Sequence, residues 1–264
     1  MSDLAEYNWA ALTAAGLVDR AEYFASLGST NDHAREIAAM LPRDERRLIV
    51  ADEQTAGRGR GANRWWTAPG SLACSLLFDP AGRGIERQYF PMISLAAAIA
   101  IAETATVAAS RVDAGLHWPN DVFIAGSKLA GVLIEALPDG RHVLGMGCNV
   151  NNRAKHAPPE LSNAVVSLAD LTGRDHSRGE LLIEILRRLD ERLDELARSP
   201  HAVGRRADEL CLQHGKFLTI RSGSREASGM CAGIADDGAL LLDTITGRQW
   251  FYSGVLVKNT DGSA

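Results

Sequence analysis

Gln54-Thr55-Ala56-Gly57-Arg58-Gly59-Arg60-Gly61-Ala62-Asn63-Arg64-Trp65-Trp66 is the densest concentration of chemistry in a chain of 264 residues. Glycines at alternate positions let a backbone turn tightly and bring its N–H groups close to a ligand. The interleaved arginines are planar, permanently charged forks that suit phosphate or carboxylate oxygens. The segment is therefore read as an anion-wrapping loop, with a solvated basic loop as the plain alternative. Gly57-Arg58-Gly59-Arg60-Gly61-Ala62 fits the letters of a dinucleotide fingerprint, and Asp79 stands near the place of a ribose acid. That fingerprint needs a helix directly after the glycines. Here Pro69-Gly70 and a short apolar run, 71–78, follow instead and read as a turn and a strand. No G-x-x-x-x-G-K-[ST] occurs either.

Three further clusters carry usable side chains. Ser29-Thr30-Asn31 offers N-caps, and so a helix N-terminus with free N–H groups. Trp118-Pro119-Asn120-Asp121 is followed by Lys128-Leu129-Ala130-Gly131, and Gly145-Met146-Gly147-Cys148-Asn149-Val150-Asn151 closes the set. Each has an ordinary reading when taken alone: a plain cap, a turn, a solvated strand-end lysine.

The elements that must position them follow from periodicity. Residues 3–15 have helical spacing through Leu4 and Leu12, and Tyr23 and Phe24 begin a strand. A helix is expected over 32–41, with Ile37 and Met40 on its apolar face, and 47–51 reads as a buried strand leading into the loop. Pro91 opens an alanine-rich helix to about Ala109, 116–135 reads as a hairpin, and 143–150 as a strand. Residues 153–163 form a Pro-containing loop. Ser177 and Glu180 form a capping box for a helix to about Ala197, whose stripe is Leu182, Ile185, Leu186, Leu189, Leu193 and Leu196. A short helix over 203–214 completes the larger unit, and from Lys216 the texture changes to short alternating strands with a turn at Asp236-Asp237-Gly238.

The composition is 46% hydrophobic and 23% charged, with a net charge of -5, which lends no support to a general nucleic-acid surface. The N-terminus lacks the pattern of a signal peptide. No apolar run reaches bilayer length, since the longest candidate, 96–109, is broken by Glu103. Cys74, Cys148, Cys211 and Cys231 are dispersed, as suits buried thiols in a reducing cytoplasm, and the seven histidines lack metal-ligand spacing. A cytoplasmic protein without a metal site of its own, nucleic acid or membrane is expected.

Taken in order, the four motifs resemble those of biotin–protein ligases, and the strand module around Gly233 to Leu240 is similar to that family's C-terminal domain. The resemblance covers the chain from about Phe24 onward. It implies an α+β fold: a mixed β-sheet catalytic domain with packed helices, class II synthetase-like, over 1–214, and a small SH3-like β-barrel over 215–264. It implies activation of biotin with ATP and Mg2+ as biotinyl-5'-adenylate, then transfer to a lysine of a biotin carboxyl carrier domain. Residues matching the biotin pocket are Ser29, Thr30, Asn31, Gln54, Gly57, Arg58, Gly131 and Gly147. Those matching the ATP or adenylate contacts are Arg58, Arg60, Arg64, Trp65, Asn120, Lys128 and Asn149, and Lys128, Arg60 and Asp121 match catalytic positions. Two departures stand out: His117 replaces the usual lysine before Trp118, and Asn63 replaces the loop's third arginine, with Arg64 one place late. The residues before Phe24 are too few for a DNA-binding helix-turn-helix, so a short form is expected. A homodimer through a free sheet edge also fits. A lipoate–protein ligase and a non-catalytic biotin-binding regulator remain as alternatives.

Overall fold

The computed structural model describes residues 7–110 and 112–257. Its larger unit is a seven-stranded sheet in the order β1-β2-β3-β7-β6-β5-β4. The strands are β1 (Arg20–Leu27), β2 (Arg47–Gln54), β3 (Leu72–Phe78), β4 (Ala114–His117), β5 (Asp121–Ile124), β6 (Ser127–Ala136) and β7 (His142–Cys148). Only β1 and β2 run parallel; the other neighbours are antiparallel, so the sheet is mixed. The central strands β3 and β7 are buried along their whole length, as continuous apolar runs covered on both faces must be.

One face carries the main core. Against it pack α3 (Ile93–Ala109), α4 (Leu168–Thr172), α5 (Arg178–Arg198) and α6 (Pro200–Glu209). The small side chains of α3 let it lie close to both the sheet and α5, and most of its residues are buried. All six apolar residues expected for the stripe of α5 are buried, each contributing about 1.5–3 kcal/mol by leaving water. On the other face the single helix α2 (Thr30–Ala38) covers Ile49, Leu77 and Val143 with Ala34 and Ala38. A short helix, α1 (Trp9–Ala14), precedes β1, and there Tyr7 stacks on Trp9 while Tyr23 lies tilted against both.

The C-terminal strands β8 (Phe217–Ser222), β9 (Arg225–Ile234), β10 (Leu240–Thr244), β11 (Gly247–Phe251) and β12 (Val255–Val257) form an antiparallel sheet in the order β11-β10-β9-β8-β12. It seats directly on the larger unit. The fully buried Trp118 donates its indole N–H to Gly238 O at 3.0 Å, and Asp208 Oδ1 accepts the Ile234 N–H at 2.7 Å. Residues 210–212 bond to Leu116 on β4, which leaves β1 as the edge without a strand neighbour on its outer side.

Several expectations shift. Met40 is 74% exposed, because α2 ends at Ala38 and its buried face is made by alanines. The 116–135 hairpin is a three-stranded meander, β4 to β6, with a bulge near Phe123. Pro91 lies in a 3-10 turn, Arg87–Met92, that precedes α3. Together they make the one stretch among the described residues long and apolar enough to cross a membrane, contrary to the sequence reading, and it is mostly buried inside the protein. The last helix runs 200–209 rather than 203–214, β12 was not expected, and Leu4 lies outside the described residues.

Candidate active site

Strand register builds the floor. Ala51, Ala73, Gly147, Gly131, Asp121 and His117 are successive cross-strand partners from β2 to β4, on the α2 side of the sheet. The next row is Ile49, Ser75, Gly145 and Leu133. Two alanines and two glycines in a line make a trough across four strands, with the charged Asp121 at its end.

The polar wall is the start of α2 together with the end of β2. Ser29 caps α2 through the Asp32 N–H, and Ser29, Thr30 and Asn31 are all buried. Gln54 Oε1 accepts the Thr30 N–H at 2.9 Å, while Gln54 Nε2 donates to Thr67 Oγ1 at 3.4 Å. The Asn31 amide is fully engaged by the protein: Nδ2 donates to Glu135 Oε2 at 2.8 Å and to Leu133 O at 3.4 Å. A Cβ on Gly145 would lie 2.2 Å from Asn31 Oδ1, so that glycine admits Asn31 rather than a ligand. Gly145→Ala should therefore lower stability by about 1–3 kcal/mol, the usual cost of overpacking, read as a fall in Tm.

The glycine–arginine segment is a hairpin standing over the trough. Gly59 N–H donates to Asn63 O at 2.8 Å, Trp65 N–H donates to Gly57 O at 3.0 Å, and Gly61 turns with φ +62. A Cβ on Gly57 would meet Trp65 O at 2.7 Å, which explains that glycine. The indole of Trp65 lies across the glycine floor: Cβ atoms on Gly147 and Gly131 would stand 2.4 and 3.2 Å from its ring. The close approach expected of biotin at these glycines is made here by Trp65, whose buried Nε1–H has no partner.

The arginines diverge. Arg58 is held by Asp32, at 3.0 Å, and by Glu135, two acids the sequence reading did not single out. Arg60 goes the other way, donating to Asn120 Oδ1 at 3.4 Å and to Gly254 O at 3.2 Å. Burial lowers its pKa, with Asp121 opposing. It borders a cavity of about 330 Å³ between β6, the start of α3 and the C-terminal sheet, lined also by Trp118, Pro119, Asn120 and Tyr252. Arg64 is exposed, and among the described residues its guanidinium donates to Thr55 O, at 3.3 Å. Arg60→Ala should raise KM for ATP on the order of tenfold or more, the worth of a charge-assisted hydrogen bond, and Arg64→Ala less than threefold. Steady-state kinetics on the two variants test the ranking: a larger rise in KM for Arg64→Ala than for Arg60→Ala would overturn it.

Lys128 Nζ lies 2.6 Å from Asp121 Oδ2 and 5.7 Å from the centre of the Trp65 ring. Its backbone is fixed on both sides, by Ala164 O and Val166 N–H, and its carbonyl also accepts from Asn149 Nδ2 at 3.3 Å. Asn149 is thus a strut beneath Lys128, buried and bonded to Asn152. Asn120 Nδ2 likewise donates to Val132 O at 2.6 Å and holds the turn before Asp121. His117 stacks on Phe123 with ring centroids 4.8 Å apart. Burial pushes its pKa down; Asp121 opposes this, and Lys128 and Lys216 reinforce it. Lys216, from the start of the C-terminal strands, supplies a positive charge beside the position where the resemblance leaves one missing.

Comparison with known proteins bears on this arrangement. The Biotin/lipoate A/B protein ligase family matches residues 23–151, and the Biotin protein ligase C terminal domain matches 214–258. The Biotin--[acetyl-CoA-carboxylase] ligase of Mycobacterium tuberculosis is 32% identical over 224 residues, covering 83% of this chain and 81% of that protein. The same-named enzyme of Paracoccus denitrificans is 32% identical over 234 residues, covering 84% and 93%. The chain belongs to the biotin protein ligase family. The solved biotin protein ligase from Aquifex aeolicus in complex with biotin and ATP superposes with a TM-score of 0.78 at 26% identity, over 90% of this chain and 97% of that one. As a biotin protein ligase, the chain combines three features in one place: a side-chain-free trough, a polar wall, and a Lys128–Asp121 pair at the trough's end. Ser75, Asp32, Glu135, Thr67, Lys216 and Gly254 belong to this site and were missed by sequence reading. Only Ser75 left a signal, as a lone hydroxyl in the apolar run Leu72 to Phe78.

Proposed function

We propose that this ligase activates biotin with ATP as biotinyl-5'-adenylate and transfers the biotinyl group to a lysine of a biotin carboxyl carrier domain. The observation that carries the reading is Lys128 Nζ beside Asp121 at the end of the glycine and alanine trough. In this reading biotin lies along the wall of Ser29, Thr30 and Gln54, with its carboxylate toward Lys128. A carboxylate oxygen attacks the α-phosphorus and pyrophosphate leaves. Lys128, with Arg58 and Arg60 from the hairpin, offsets the negative charge that gathers as two anions combine. Trp65 gives the nucleotide an apolar surface, and the hairpin excludes water from the mixed anhydride. Mg2+ enters with the ATP phosphates as part of that substrate; among the described residues no group of three His, Cys, Asp or Glu gathers to hold a metal. Residues 1–214 are read as the catalytic domain and 215–264 as the C-terminal domain.

In the second step the acceptor amine attacks the adenylate carbonyl, the amide forms and AMP leaves. Asp121, freed from Lys128 as that ammonium turns to the phosphate, orients the amine and takes its proton. Asp121→Asn should slow transfer from added biotinyl-adenylate about a hundredfold, within the usual range for a general base. Loss confined to ATP use would move Asp121 to the nucleotide site instead. A homodimer through a sheet edge would use β1, since β4 is already covered. The match to the biotin-specific C-terminal domain favours biotin over lipoate. Incubation with ATP and either acid tests the whole reading: pyrophosphate release with lipoate alone, or with neither, would overturn it.

A further inference from the structure

Ser75 sits on the central strand β3, fully buried beneath the start of α2. Its Oγ lies 2.6 Å from Asn31 Oδ1 and 2.7 Å from Thr30 Oγ1. Neither amide can be turned over. Asn31 Nδ2 is tied to Glu135 and Leu133 O, so its oxygen must face Ser75, and Gln54 Oε1 must face the Thr30 N–H that it accepts.

Two oxygens at such distances repel unless a hydrogen lies between them. Asn31 Oδ1 carries none, so the Ser75 hydroxyl proton belongs to Asn31. The 2.7 Å gap must then be filled by the Thr30 hydroxyl proton, donated to Ser75. That leaves the longer Thr30 Oγ1 to Gln54 Oε1 contact, 3.2 Å, without a hydrogen. Gln54 Oε1 keeps a free lone pair on the wall of the trough.

We infer that Ser75 is a positioning residue for the ureido end of biotin: by drawing the Thr30 hydroxyl away, it keeps Gln54 Oε1 open to accept a ligand N–H. The inference rests on the functional reading above. Without the serine hydroxyl, the acceptor left to the Thr30 O–H among the described residues is Gln54 Oε1, 3.2 Å away, and the Thr30 proton occupies the lone pair the urea needs.

The test is a double-mutant cycle on the full chain, with biotin affinity by calorimetry, kcat from pyrophosphate release at saturating biotin, and Tm. Ser75→Ala should weaken biotin binding about three- to tenfold, one neutral hydrogen bond, with kcat near that of the unaltered protein. In a Thr30→Val background, where no hydroxyl competes for Gln54, Ser75→Ala should have no further effect on affinity. Biotin affinity unchanged in Ser75→Ala, or weakened equally in both backgrounds, overturns the positioning role; equal weakening with a lowered Tm would mark Ser75 as packing only. If the unaltered chain releases no pyrophosphate with biotin, the functional reading fails first, and this inference with it.

Discussion

Lys128→Ala is expected to abolish measurable adenylate formation while biotin still binds. The ammonium is 2.6 Å from Asp121, at the end of the trough along which biotin is proposed to lie. A charge that acts mainly as the two anions join lowers the barrier more than it aids binding, so turnover should fall by about a hundred- to a thousandfold or more. The variant also leaves the Asp121 carboxylate without its partner, facing incoming phosphate, which should weaken ATP binding as a second effect. The two effects separate in Lys128→Ala/Asp121→Asn: removing the unpaired charge should recover ATP affinity and leave turnover low. Lys128→Arg keeps the charge but spreads it over a planar fork, and should recover only part of the rate. Pyrophosphate release by Lys128→Ala within tenfold of the unaltered protein would remove Lys128 from the reaction.

Gly147→Ala should be nearly as damaging, for a steric reason. Its φ is not in the left-handed region, so alanine suits the strand. The new Cβ would stand 2.4 Å from Trp65 Cε2, however, and ordinary contact begins about 1 Å further out. The indole must lift, and the arginine hairpin with it. A misplacement of about 1 Å at a reacting site can cost on the order of a hundredfold in kcat/KM. Because Trp65 is half-buried and belongs to the hairpin rather than the core, Tm should fall less than in Gly145→Ala. Gly131→Ala, whose Cβ would stand at 3.2 Å, should cost several-fold less. Equal kinetics for Gly147→Ala and the unaltered protein would mean the indole yields freely and does not set the nucleotide surface.

What could be read from the sequence divides along physical lines. Periodicity found α5 because its stripe of six apolar residues is a property of one helix. It found β3 and β7 because central strands are apolar throughout. It misplaced Met40, since two buried alanines carry the inner face of α2 and leave little hydrophobic signature. The trough was invisible, because Ala51, Ala73, Gly147 and Gly131 line up only through strand register across four chain segments. The partners of the arginines were hidden for the same reason: Arg58 meets the Glu135 carboxylate across 77 residues, and Arg60 meets the Gly254 carbonyl across 194. Lys128 and Asp121 were legible as members of a motif, although their contact with each other was not.

The reach of Arg60 to Gly254 makes a side chain of the loop also a tether of the last strand pair. A guanidinium carries its five N–H donors in one rigid fork, so turning that fork toward a phosphate also re-aims the Nη1 bonds to Asn120 and Gly254. With Arg60 on the nucleotide, as proposed above, occupancy of the loop and the seating of Gly254 are coupled, and such coupling is reciprocal. Whatever slackens that far turn alters how tightly the loop holds its anion, and whatever fills the loop changes how firmly the end of the chain is moored.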